Sequence, residues 1–161
     1  MLITEKKEQF ECQCQSCKSA CTHNPGWFLP NEAEKAADYL GMSLQEFFNR
    51  YLGVNWWVDD PDIFVLAPAL VGEETGAEYP GDPRGTCVFF NQDGLCDIHI
   101  VKPYECAELN CNKKKDTDPH EMARTKWKDH QGQIIELLGR EPEAVPFFGD
   151  FFLKKCLMNY M

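Results

Sequence analysis

No stretch of the chain approaches the roughly 20 consecutive apolar residues that a membrane-spanning helix requires. Basic residues are also scarce. Lys and Arg number 16 against 26 Asp and Glu, for a net charge of −10. Neutralising nucleic-acid phosphates takes clustered cations. The one run here, Lys113-Lys114-Lys115, is followed by Asp116 and Asp118 and reads as a solvated loop. The sequence therefore predicts neither a membrane nor a nucleic-acid partner, and leaves a protein partner open. The segment from Met1 to Glu11 is charged and lacks the apolar run of a secretory signal, so the expected location is the cytoplasm. Internal repeats and low-complexity tracts are missing, and so are a Gly-rich cofactor loop after a strand and a readable acid–base pair.

What is present points elsewhere. A chain of 161 residues suits a single domain with a real core. Its 43% apolar content, with 11 Phe, 5 Tyr and 4 Trp, excludes a disordered tail. There are nine cysteines. An odd count argues against a fully paired extracellular framework, and clustered thiols in a reducing compartment usually bind metal or do redox chemistry.

The cysteines fall into two groups. Cys12, Cys14, Cys17 and Cys21 lie near the start; Cys87, Cys96, Cys106 and Cys111 follow a long cysteine-free stretch; Cys156 stands apart. Cys14-Gln15-Ser16-Cys17 is a C-x2-C pair, in which a short loop aims two sulfurs at one ion. Alone it is a weak signal, but with Cys21 close behind and four more thiols downstream it is a strong one. The eight are expected to ligate zinc, as two closed tetrahedral sites, or to hold an iron–sulfur cluster on four of them.

Between the groups, Asn31-Glu32-Ala33-Glu34 reads as a capping box opening a helix that reaches Leu40 and stops at Gly41. Ser43-Leu44-Gln45-Glu46 opens a second helix, with Leu44, Phe47, Phe48, Tyr51 and Leu52 on its core face. Asp62 to Ala67 reads as a buried strand. Leu70 to Gly85 is a long Gly- and Pro-rich loop that could cover a site. Cys87 to Phe90 and Leu95 to Ile100, joined by Asn91-Gln92-Asp93-Gly94, suggest a β-hairpin. Pairing Phe90 with Leu95 would put Cys87 and Cys96 on one face and His99 on the other. Pro103 fits a helix entry. Asp118-Pro119 opens a helix predicted to run to about Gly139, with Trp127, Ile134 and Leu138 on its buried side, and a last helix is expected from Glu143 to Met158. His23 reads as an exposed loop residue, His120 and His130 lack ligand spacing, and Cys156 reads as a packed core cysteine.

The expected fold is α+β: a small metal-stapled single domain over residues 1–161, with several short helices, one hairpin, a short strand and much irregular structure. The cysteine-cluster region spans about 12–111, and a helical extension about 117–161.

In combination, Cys14-x2-Cys17-x2-Ala20-Cys21, Cys87-Val88-Phe89-Phe90, Gly94-Leu95-Cys96-Asp97-Ile98-His99, Lys102-Pro103-x2-Cys106 and Cys111 resemble the bacterial cysteine-cluster family of zinc- or iron-chelating proteins. The segment Gly41 to Phe47 is similar to that family's helical stretch, and the resemblance covers about residues 12–111. It implies metal binding, in a structural or metal-handling role. It also implies an alternative, because the cysteine cluster resembles that of flagellin lysine N-methylases: an enzyme of methyl transfer or redox chemistry. A thiol redox protein working through Cys14 and Cys17 is a third possibility. Ala20 replaces one family cysteine, for which Cys12 is the expected substitute. His99 stands where the family has Tyr, and Lys102 and Ala107 replace two family arginines.

Overall fold

The computed structural model describes residues 15–81, 83–108 and 118–144, with the backbone alone for 15–17. Six α-helices and a three-stranded sheet are present among the described residues, an α+β fold. The helices are α1 (Gln15–Thr22), α2 (Glu32–Tyr39), α3 (Leu44–Tyr51), α4 (Tyr104–Glu108), α5 (Pro119–Trp127) and α6 (Gln131–Leu138). The strands are β1 (Leu52–Trp57), β2 (Asp60–Pro68) and β3 (Ala77–Glu78), in the order β2-β1-β3.

The sheet is built on a hairpin. β1 and β2 pair antiparallel, with Val54 opposite Leu66 and Trp56 opposite Phe64, and a bulge between Trp56 and Trp57. Val58 and Asp59 form the connecting turn. Among the described residues this is the one hairpin, and it does not lie where the sequence suggests, over residues 87–100. β2 contains the expected strand. β1 begins at Leu52, which therefore belongs to the sheet and not to the helix face assigned to it. Both strands are largely buried on both faces, so their near-continuous apolar runs hide the alternation that marks a half-exposed strand. Within the Leu70 to Gly85 loop, β3 adds to β1 in parallel through Ala77 and Glu78.

Two helix starts follow their sequence signals and one does not. Ser43 caps α3 by accepting from the Glu46 amide at 3.1 Å, and Asp118 caps α5 by accepting from the His120 amide at 3.0 Å. The Asn31 side chain makes no cap. Glu32 takes over there, its carboxylate accepting from the Leu29 amide (2.8 Å) and from the Tyr104 amide (2.9 Å). That second bond fastens the start of α4 to α2.

The predicted long helix after Asp118 is two. The Trp127 carbonyl accepts from the His130 amide (2.9 Å) and from the Gln131 side chain (2.8 Å). A side chain thus competes for a carbonyl that a continuous helix would use, and the helix breaks. Gln131 gains more than it breaks: its amide group also exchanges two bonds with the Phe64 backbone, each 2.9 Å. It thereby pairs part of the outer edge of β2.

The core gathers Phe28, Phe47, Phe48, Leu52, Val54, Leu66, Trp127 and Ile134, all essentially fully buried. The loop before α2 is sewn into it, because the Phe28 amide donates to the Leu66 carbonyl (2.9 Å) and the Trp127 indole donates to the Phe28 carbonyl (2.6 Å). No helix among the described residues is long and apolar enough to cross a membrane. Most of the expected last helix, and Cys156 within it, lie outside the described residues.

Candidate metal centre

Four thiols on four separate segments lie within electrostatic reach of one another. Cys21 sits in the last turn of α1, and its carbonyl accepts from the Cys87 amide at 2.8 Å. The bond from the Gly85 amide to the His23 carbonyl (2.8 Å) extends this zipper. On its other side the segment pairs with residues 69–71, through Val71 amide to Thr86 carbonyl (2.7 Å) and Val88 amide to Ala69 carbonyl (3.0 Å). Cys87 opens a tight turn to Phe90, closed by the Phe90 amide on the Cys87 carbonyl (3.1 Å). Cys96 lies across from Phe90 in a single antiparallel bridge. Cys106 rides on α4, against Gly26.

The turns are aimed at sulfur. Backbone amides of Phe89 and Phe90 donate to the Cys87 sulfur, that of Ile98 to the Cys96 sulfur, and that of Gly26 to the Cys106 sulfur. Amides donated to sulfur favour its charged form. They also explain why the predicted hairpin does not form here, since amides spent on sulfur and on turn carbonyls cannot build a ladder. The Asn91 to Gly94 turn is present, with Gly94 amide to Asn91 carbonyl at 3.0 Å. The pairing beyond it is offset by one residue from the expected register. In a regular strand that offset would separate Cys87 from Cys96. The turn at Cys87 to Phe90 restores their proximity.

The aromatic core fixes this turn. Phe89 stacks on Phe47 (5.9 Å between centroids, 24° between planes) and meets Tyr51 at 5.3 Å.

Burial dominates the electrostatics of all four thiols. It pushes Cys87 up to about 12 and Cys96 up to about 11, raises Cys21, and takes Cys106 well above its ordinary value. Cys106 keeps some exposed surface, but Gly26 lies close against its sulfur. The thiols also feel one another. Charge on Cys21 and Cys96 raises both Cys87 and Cys106, and charge on Cys21 raises Cys96. Lys102 acts in the other direction on Cys21 and Cys96, with Lys18 helping at Cys21. Lys102, which stands where the cysteine-cluster family has Arg, is thus a cation close to these thiols.

None of the four is in a disulfide. Among the described residues, no group of three or more His, Cys, Asp or Glu side chains is arranged to hold a metal ion. As donors the four sulfurs suit a thiophilic cation, and their mutual repulsion once ionised is what such a cation removes. Cys21, which falls in the N-terminal group along the sequence, lies within electrostatic reach of three thiols of the downstream group. Cys12, Cys14 and Cys111 lie outside the described residues, as does the Cys17 side chain, whose backbone position is one turn before Cys21. His99 begins a 3-10 turn, His99–Val101. His23 is exposed, with its Nδ1 2.8 Å from the Thr22 hydroxyl.

No protein-family model, curated protein or solved structure matches this chain. The likeness to the cysteine-cluster family stays one of motif, and the functional reading rests on donor chemistry.

Gly26 is a site residue that spacing did not reveal. A Cβ there would lie 2.7 Å from the Cys106 amide nitrogen and 2.9 Å from its sulfur. Replacing Gly26 with Ala must therefore push α4 off the loop, at a cost of about 1–3 kcal/mol. We expect Gly26→Ala to lower both the unfolding free energy and metal affinity. An unchanged urea midpoint with unchanged metal content would show that the contact is dispensable.

Proposed function

We propose that this chain is a thiolate metal-binding protein, with Cys21, Cys87, Cys96 and Cys106 as its core ligands and zinc as the first-choice metal. One observation carries the reading: four thiols from four chain segments lie in one mutual field, three of them receiving backbone amides on sulfur. Ionising four buried thiols together is unfavourable by itself, and a bound dication offsets that cost. Bound metal would tie the end of α1, the Cys87 turn, the Cys96 bridge and α4 to one point. Its role is then structural, because these segments share few elements of regular structure. Cys12, Cys14, Cys17 and Cys111 enter the proposal as further ligands on their spacing alone, sufficient for a second centre or an iron–sulfur cluster.

The test is elemental analysis with an absorption spectrum on anaerobically purified protein. We expect at least one equivalent of zinc and a colourless sample, with metal content at least halved in the double variant Cys21→Ser/Cys106→Ser. A brown sample absorbing at about 400 nm would replace zinc with an iron–sulfur cluster. Substoichiometric amounts of every metal would sink the proposal. Chelation should also lower the melting temperature, since metal binding energy is folding energy in such sites.

A further inference from the structure

A second constellation is anchored on Glu105, the chain neighbour of Cys106. A cavity of about 220 Å³ opens beside the β1–β2 turn, walled by Trp27, Trp57 and His120 and rimmed by Val58 and Asp59. The three rings pack together: Trp27 meets Trp57 at 5.9 Å and 76°, and His120 lies 4.6 Å from Trp27 and 5.4 Å from Trp57. The wall is held from behind by Glu105, which is 1% exposed. One of its oxygens accepts from the Trp27 amide (2.9 Å), and the other faces His120 Nδ1 at 2.5 Å.

The charge around the cavity has one sign. Among the described residues, Asp59 is the one carboxylate on its rim, and no Lys or Arg lines it. His120 faces the buried Glu105 carboxylate, which would balance any positive charge on the ring, so it does not serve as the counter-charge to Asp59. The Trp57 indole N–H donates to the Asp59 carboxylate at 3.3 Å, which makes the indole more electron-rich and its faces more attractive to positive charge. Trp57 already takes one cation: Arg124 sits 5.9 Å from its ring, held by Asp60 at 2.8 Å, and lies outside the cavity lining. An anionic ligand would meet Asp59 with nothing to balance it. A purely apolar ligand would strip water from Asp59 without replacing it. A small cation with an apolar surface satisfies both the rings and the carboxylate. The volume lies below the range for drug-sized ligands, which suits a compact head group.

We propose that this cavity binds a small organic ammonium ion, with Trp57 and Trp27 as the aromatic wall and Asp59 as the counter-charge. The proposal is independent of the metal reading.

The experiment titrates the full chain, as purified, with choline and with its uncharged isostere 3,3-dimethylbutan-1-ol, read by tryptophan fluorescence and calorimetry. Choline should saturate and bind at least roughly tenfold more tightly than the isostere. Asp59→Asn should weaken choline roughly tenfold and leave the isostere unchanged. Near-UV circular dichroism of that variant checks that the turn is intact, and the comparison of the two probes on the unaltered chain needs no variant at all. Equal affinity for both probes, no saturable binding of choline, or unchanged choline binding in a folded Asp59→Asn protein would each overturn the proposal.

Discussion

Replacing Trp127 with alanine should lower the unfolding free energy by about 3–5 kcal/mol, the cost of emptying a large aromatic site in a packed core. Trp127 is fully buried, and its indole donates to the Phe28 carbonyl at 2.6 Å. Two losses therefore add: the apolar volume, and a buried carbonyl left without its donor, which by itself costs about 1–3 kcal/mol. Trp127→Phe separates them, keeping most of the volume and removing the donor. The consequences reach both candidate sites, since Phe28 follows Trp27 of the cavity wall and Gly26 of the thiol site. Urea denaturation gives the stability change, and metal content of the refolded variant gives the coupling. A loss under about 1 kcal/mol for the alanine variant would mean that the loop is held by other contacts.

Much of this architecture was legible in the sequence. Ser43 caps its helix as its spacing with Glu46 indicates, and Gly41 and Gly139 end helices with φ of 72° and 73°. These signals are local: each depends on a few neighbours along the chain, so a single sequence carries them. The failures have a common cause. The Asn31 cap yields to a carboxylate that also serves Tyr104, 72 residues away. The long helix breaks because Gln131 bonds Phe64, 67 residues away. The hairpin at residues 87–100 does not form because its amides serve sulfur. In each case a partner remote in sequence, or a side-chain acceptor, outcompetes the local pattern, and one-dimensional periodicity records neither.

The candidate sites divide in the same way. Cysteine clustering is itself a chemical signal and carries the proposed ligands, but which thiols lie near one another was not readable. Cys21 lies four residues from Cys17 in sequence, yet it pairs through its backbone with Cys87. Glu105 and His120 gave no motif at all, being 15 positions apart and joined only by the packing of α4 against α5.

Metal affinity should climb steeply with pH, and should go on climbing at alkaline pH where the affinity of exposed cysteines levels off. Burial keeps Cys87 and Cys96 protonated to about 12 and about 11, with Cys21 and Cys106 also raised. Below those values, binding to four thiolates must expel four protons. Each proton contributes about tenfold in affinity per pH unit, so the limit for four is about ten-thousandfold per unit. Chelator competition at two pH values one unit apart measures the slope, and calorimetry in buffers of different ionisation enthalpy counts the protons. The metal-free protein should show the opposite trend. A thiol whose folded value is raised contributes stability that is intact below its ordinary value of 9.0, and that contribution is lost as pH climbs through about 11 and 12. The cause is that the unfolded chain releases its protons first. Metal-loaded protein carries thiolates already and should lack this alkaline decline. Affinity independent of pH would show that these thiols are not the ligands. Metal-free stability that rose above pH 9 would show that burial does not hold them protonated.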